Sequence, residues 1–275
     1  MKLPFKNRIE NYLLRNRSVK AEISFIQPNA RLAGKRIIVT GGTGGIGQAM
    51  AKCFVAEGAK VLIAGRDEDK LKQLASILKC EYLQLDLTKV ETFRDFVLNS
   101  KEKLGGIDCL VNNAGVSLHE TDFRTINPVD FDQQVSTNFR GPFFLTQEVL
   151  ASMEKEGTKG QILFVSSETG ETADIRPYGL TKAAVNSFVQ GLAYMCIESG
   201  IRVNAIAPGV TATKMAGYGN SQENLICYHN PNGRAYLPEE MAEVATFLLS
   251  DVSNCISGQI ITCNNGKTIN ARWKS

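Results

Sequence analysis

From Gly34 onward, short β-branched runs alternate with longer helical stretches, and this alternation restricts the possible folds more than any other feature of the chain. The runs are KRIIVTG, AKVLIAG, CEYLQLDL, DCLVNNAG, GQILFVSS, IRVNAIAPG and GQIITCNNG. Most are apolar on both faces, as strands covered by helices on both sides must be. Between them lie segments such as GQAMAKCFVAEG, DEDKLKQLASILK, VETFRDFVLNSKEKLG and PEEMAEVATFLLS, several closing on a helix-ending glycine. The pattern predicts an α/β fold: a doubly wound, parallel seven-stranded sheet with right-handed crossovers and helices on both faces. Residues 34–275 read as one domain. In such a sheet, ligands sit beyond the C-terminal strand ends.

The bulk properties exclude several function classes. A net charge of +3 over 275 residues is too small to argue for nucleic acid. No apolar run approaches the roughly 20 residues of a membrane span. The N-terminus lacks the apolar core of a secretory signal. Seven scattered cysteines, without CxxC pairs, read as reduced thiols in a cytoplasmic protein. His119 and His229 are far apart, so no metal is expected. Residues 1–33 carry seven basic and two acidic side chains, hence +5, which leaves −2 for the body. Within this basic extension Phe5, Ile9, Tyr12 and Leu13 follow helical spacing. It is read as a short helix packing on the body or a neighbouring subunit, with a membrane-surface helix as the alternative.

The first strand runs into TGGTGGIG, where Gly41, Gly45 and Gly47 permit a tight turn and close approach by a ligand. The following helix points free N–H groups and a positive dipole end into that space, suiting a diphosphate. This is the arrangement of a Rossmann-type dinucleotide site. At the end of the second strand Gly65 stands where NAD-binding folds carry an acid, and Arg66 follows. A guanidinium matches a 2′-phosphate, so NADP(H) is favoured over NAD(H). Asp67 beside it is placed to cap the next helix. Asp86, at the end of the third strand, is placed to accept from the adenine amino group or to cap the helix beginning near Val90, and Leu87 beside it is a further expected cofactor contact. Asn113, Ala114 and Gly115 of NNAG let backbone pass near the cofactor.

Near the middle stands RPYGLTKAAVNSF, with Tyr178 one helical turn before Lys182. With TGGTGGIG, NNAG, a serine after the fifth strand and APGVTAT, this makes five motifs whose order resembles the short-chain dehydrogenase/reductase family over residues 34–270. Among its branches the chain looks most similar to the 3-oxoacyl-carrier-protein reductases. The resemblance implies that Tyr178, Lys182, Ser167 and Asn138 are the catalytic residues, with Asn138 bending the fourth helix and anchoring a water. It also implies cofactor contacts from Gly41, Thr43, Gly45, Ile46, Gly47, Asn113, Tyr178, Lys182, Pro208, Gly209, Val210, Thr211 and Thr213. Two features depart from the family pattern. Only ten residues separate Ser167 from Tyr178, fewer than family members usually have, which leaves Ser166 as an alternative to Ser167. Gly44 replaces the basic residue that many NADP-dependent members carry in the glycine turn.

The pair makes chemical sense. Reducing a ketone needs a hydride at carbon and a proton at oxygen, and the protein supplies the proton. A phenol with a pKa of about 10 is a usable acid, and a nearby ammonium favours its ionised form. Ser167 would hydrogen-bond the substrate oxygen. The expected activity is an NADP(H)-dependent ketoreductase acting on a small-molecule carbonyl or secondary alcohol. An NAD(H)-dependent sugar or polyol dehydrogenase is the enzymatic alternative, and a silent dinucleotide-binding sensor or scaffold the non-enzymatic one. An enoyl reductase is disfavoured, since that branch spaces its Tyr and Lys more widely. The substrate segment near residues 214–237 is short, and Tyr218, Leu225, Ile226, Tyr228 and Tyr236 are candidates to line an apolar pocket. Family members are mostly tetramers, so a homo-oligomer, dimer or tetramer, is expected.

Overall fold

The computed structural model describes residues 30–218 and 225–269. The seven expected strands are β1 (Arg36–Thr40), β2 (Lys60–Gly65), β3 (Glu81–Gln84), β4 (Cys109–Asn112), β5 (Gln161–Val165), β6 (Arg202–Pro208) and β7 (Ile260–Cys263). They form one parallel sheet in the order β3-β2-β1-β4-β5-β6-β7. The helices are α1 (Gly45–Ala56), α2 (Glu68–Leu78), α3 (Phe93–Leu104), α4 (Pro128–Val135), α5 (Gly141–Glu156), α6 (Pro177–Met195) and α7 (Pro238–Leu249).

The period of two along each strand sorts the core into two layers. Ile38, Leu62, Leu110 and Phe164 face α3, α5 and α6, whose Phe93, Val149 and Val189 are fully buried. Ile37, Val39, Ile63 and Val111 face the other way, against Phe54 of α1, Leu71 of α2 and Leu248 of α7. Each such side chain contributes about 1.5–3 kcal/mol by leaving water. Local chemistry sets the helix ends. Asp67 caps α2 by accepting from the Lys70 N–H. Pro177 and Pro238 open α6 and α7, where a missing N–H costs nothing. Gly105 and Gly157 end α3 and α5 in the left-handed conformation.

Strand order reverses between β1 and β4, so the loops leaving those two strands splay apart and open a crevice. The residues proposed for an N-terminal helix (Phe5, Ile9, Tyr12, Leu13) lie outside the described residues. Of the basic extension, Leu32 is buried in the core and Arg31 pairs with Glu57 (2.6 Å) and Glu243 (2.8 Å). All seven cysteines are unpaired, with Cys255 the exposed one.

Candidate active site

At the switch point lies a cleft of about 780 Å³. Its floor is the glycine turn. Gly41 has φ +65°, and a Cβ there would stand 2.8 Å from the Ala114 Cα. A Cβ on Gly45 would meet the Thr213 methyl at 2.5 Å, and one on Gly47 the Gly41 carbonyl at 2.3 Å. A side chain at Gly41 or Gly47 would run into backbone, and one at Gly45 into the Thr213 side chain. The turn delivers the chain to α1, which begins with no side-chain cap and no acid in its first turn. Its N-terminal N–H groups therefore face the cleft uncompensated, which suits the diphosphate of a dinucleotide.

Arg66 lines the cleft just past β2, and among the described residues its guanidinium makes no hydrogen bond or ion pair, though its charge acts on Asp86. Asp67 beside it is taken up: its carboxylate caps α2 and binds the Lys70 ammonium at 2.5 Å. Asp86, two residues past β3, bonds the Thr88 N–H (3.0 Å) and hydroxyl (2.8 Å). Burial alone would raise its carboxyl. The Thr88 bonds and the nearby Arg66 charge outweigh that and hold it below the usual range. Leu87 is buried, with its carbonyl where a Cβ on Gly141 would fall.

Thr40, invisible as a functional residue in sequence, ties the two sides of the crevice together. Its buried hydroxyl donates to the Val111 carbonyl and accepts from the N–H groups of Asn113 (3.0 Å) and Ala114 (3.1 Å). The Asn113 amide returns a bond to the Thr40 carbonyl. Gly115, Thr43, Ile46, Pro208, Gly209, Val210, Thr211 and Thr213 complete the walls; every expected cofactor contact lines the cleft.

Ser167, Tyr178 and Lys182 meet at the deep end. Lys182 is 5 % exposed, and its Nζ donates to the Val165 carbonyl at 2.8 Å, 5.5 Å from the Tyr178 ring centroid. The two neighbouring serines divide. Ser166 spends its hydroxyl on Asn186 (2.6 Å), whereas Ser167 faces the phenol. Asn138, 2 % exposed, is the one residue of the expected catalytic set outside the cleft lining. It sits in a π-helical turn, Ser136–Arg140, that breaks the helix between α4 and α5. Its amide accepts from the Val116 N–H and donates to the Val116 carbonyl, both at 2.8 Å, holding the loop after β4.

The electrostatic balance differs from the sequence expectation. Burial is the largest influence on both partners. It pushes the Tyr178 phenol up, against hydrogen bonding from Ser167 and the charge of Arg176, and pushes the Lys182 ammonium down to about 8. Desolvation dominates because the Lys182 ammonium is buried and the phenol is partly covered at the cleft wall.

The expected substrate-side residues need correction. Tyr218, Leu225, Ile226, Tyr228 and Tyr236 are absent from the cleft lining. Tyr228 is 91 % exposed, Tyr236 packs in the core, and the Tyr218 hydroxyl donates to the Ile226 carbonyl. His119, Arg176, Met215 and Ala216 occupy that end instead. The His119 Nε2 donates to the Met215 carbonyl (2.8 Å), bridging the two cleft walls, and Arg176 is held by Asp174. The only available signal was Arg176 standing two residues before Tyr178.

Residues 41–268 match the family model described as Enoyl-(Acyl carrier protein) reductase. The chain is 33% identical to gluconate 5-dehydrogenase of Gluconobacter oxydans, over 86% of this chain and 96% of that one. It is 32% identical to a 3-oxoacyl-[acyl-carrier-protein] reductase of Aquifex aeolicus, over 86% and 98%. A crystal structure of 3-ketoacyl-(acyl-carrier-protein) reductase from Brucella melitensis complexed with NADH superimposes with a TM-score of 0.80 at 30% identity, covering 86% of this chain and 100% of that one.

Proposed function

The chain belongs to the short-chain dehydrogenase/reductase family of oxidoreductases, and from that premise we propose that it is an NADP(H)-dependent ketoreductase. The observation that carries this reading is the convergence of Tyr178, Ser167 and the buried Lys182 at the deep end of a cleft built for a diphosphate. When bound, the nicotinamide supplies the hydride. The diphosphate would lie on the glycine turn and the N-terminus of α1, with Arg66 at the 2′-phosphate. Ser167 donates a hydrogen bond to the substrate carbonyl oxygen and stabilises the charge growing there. Tyr178 gives that oxygen its proton. Lys182 holds a positive charge one helical turn below and is placed to bond the nicotinamide ribose.

A panel of ketoacyl thioesters, sugar ketones and diketones, assayed by NADPH oxidation, tests the reaction class; silence across all of them would sink it. Gluconate 5-dehydrogenase among the relatives supports a second reading, a dehydrogenase of sugars or polyols. Comparing Kd for NADPH and NADH, and running the panel with each, separates the two. No helix among the described residues is long and apolar enough to cross a membrane. A cytoplasmic dimer or tetramer is part of the proposal.

Cofactor choice rests on Arg66, because Asp67 is already committed to Lys70. A charge-assisted bond to phosphate is worth about 1.5–3 kcal/mol. Arg66→Ala is therefore expected to weaken NADPH binding by roughly 10- to 100-fold while NADH binding changes by no more than about twofold. Fluorescence titration of both cofactors measures this, and an equal loss for both would refute the role.

The raised phenol gives a pH signature. Carbonyl reduction needs Tyr178 protonated, and burial keeps it so through neutrality. Reduction should run level between about pH 6 and 8 and decline in alkali, while alcohol oxidation, which needs the ionised phenol, should climb over the same span. Initial rates in both directions check this. Reduction that accelerates with rising pH would contradict it.

A further inference from the structure

Glu168 follows Ser167 directly and is 8 % exposed, an unusual place for a carboxylate. It is fully partnered. Its Oε1 accepts from the Lys267 ammonium at 2.6 Å and its Oε2 from the Asn264 amide at 3.2 Å. Both partners belong to the turn that follows β7, nearly a hundred residues away. The same turn takes a second hold: Thr268 donates to Glu171 at 3.0 Å, and Thr262 also bonds Glu171. The short 3₁₀ segment Glu168–Glu171 is thus pinned at both ends to the C-terminal strand.

Its other side presses on the catalytic helix. A Cβ on Gly170 would stand 2.8 Å from the Lys182 carbonyl carbon, and the Asn186 amide donates to the Gly170 carbonyl at 3.1 Å. At its start, Ser167 Oγ accepts from the Thr169 N–H (3.2 Å) and from the Thr169 hydroxyl (3.0 Å). A hydroxyl has two acceptor sites and one proton. With both acceptor sites filled by Thr169, Ser167 is left with its own O–H to give, and that O–H faces the Tyr178 phenol.

We propose that Thr169, with the Glu168–Lys267 ion pair that anchors its turn, is the positioning element that commits the Ser167 hydroxyl to donate into the active site. Thr169 fills the acceptor sites of Ser167, and the ion pair fixes where the turn sits against β7. The inference rests on the proposed ketoreductase reading, in which Ser167 bonds the substrate oxygen. None of Thr169, Glu168 and Lys267 is assigned a step of its own.

Three variants and one probe test it. Thr169→Val keeps the shape of the side chain and removes its hydroxyl. Glu168→Gln/Lys267→Met removes both charges together, so the buried Glu168 position is not left with an unpaired carboxylate. Lys267→Arg keeps the pair. We expect kcat for ketone reduction to fall about tenfold in each of the first two, with NADPH Kd and melting temperature near wild type, and to return in Lys267→Arg. A purely structural pair would instead give wild-type kcat in the double variant once its melting temperature matches, and that result overturns the proposal. The second readout is the ¹³Cζ shift of Tyr178 in protein labelled with [¹³Cζ]tyrosine, assigned by loss of its signal in Tyr178→Phe. It should move in Thr169→Val and in the double variant in the same direction as in Ser167→Ala. If wild type reduces no carbonyl, the reaction-class reading fails, and this shift still decides: an unmoved Tyr178 signal overturns the positioning role.

Discussion

Replacing Tyr178 by phenylalanine is expected to slow ketone reduction by about a thousandfold while NADPH affinity stays within about twofold. The exchange deletes one oxygen from a side chain at the deep end of the cleft and keeps its ring. The glycine turn, the N-terminus of α1 and Arg66 are untouched, so the groups proposed to hold the cofactor remain. What disappears is the proton for the carbonyl oxygen; at that end His119 is turned to the Met215 carbonyl and Arg176 to Asp174. Ser167 offers a hydrogen bond, but an alcohol is a far weaker acid than a phenol. Lys182 is turned to the Val165 carbonyl. Single-turnover measurement with saturating NADPH separates the chemical step from binding. A variant that retains even a tenth of wild-type turnover would remove Tyr178 from the proposed mechanism.

Lys182→Met is expected to combine a loss of activity of at least about a hundredfold with a gain in thermal stability at neutral pH. The sign follows from burial. In the folded chain the ammonium titrates at about 8, against 10.5 for an ordinary lysine. Below pH 8 it is charged in both states, and the folded state carries the full cost of desolvating it, on the order of 3 kcal/mol. Between about 8 and 10.5 only the unfolded chain holds the proton, so wild-type stability rises with pH and the cost fades. Above 10.5 it is gone. Removing the group also strands the Val165 carbonyl, which subtracts about 1 kcal/mol. The balance at pH 7 is a gain of about 2 kcal/mol, or roughly 4–8 °C in melting temperature. The gain should shrink steadily as the pH rises toward 10.5. Thermal melts of both proteins across that range measure it. A destabilised Lys182→Met at pH 7 would mean that the ammonium is compensated inside the fold. Such a site is stability given up for chemistry, a common bargain at active sites.

The same balance shows where reading the chain ran short. The spacing of Tyr178 and Lys182 showed that they share a helix face, and a neighbouring cation was expected to lower the phenol. Burial reverses the outcome for the free protein, and depth is not written in spacing. The choice between Ser166 and Ser167 was open in the sequence. The structure separates the two by a contact no local pattern shows: the Ser166 hydroxyl is taken by Asn186, on another element. Asp67, by contrast, caps α2 as its position in the sequence suggested. The five substrate-side candidates failed for a related reason. Apolar and aromatic composition says that a side chain prefers cover, not what covers it, and Tyr236 found its cover in the core.

What the sequence determined alone was the sheet with its seven strands, the glycine turn that admits a dinucleotide, and the residues that gather around the cleft. Those are properties of short stretches: a strand period, one turn of helix, a backbone that must lack a Cβ. What only the tertiary structure decided was which polar groups are buried and who partners them: Thr40 with Asn113, Glu168 with Lys267, Lys182 with Val165. Burial and pairing are set by residues tens to a hundred positions apart meeting in a dry interior. There the cost of desolvation competes with each bond, and no local pattern in the chain records the result.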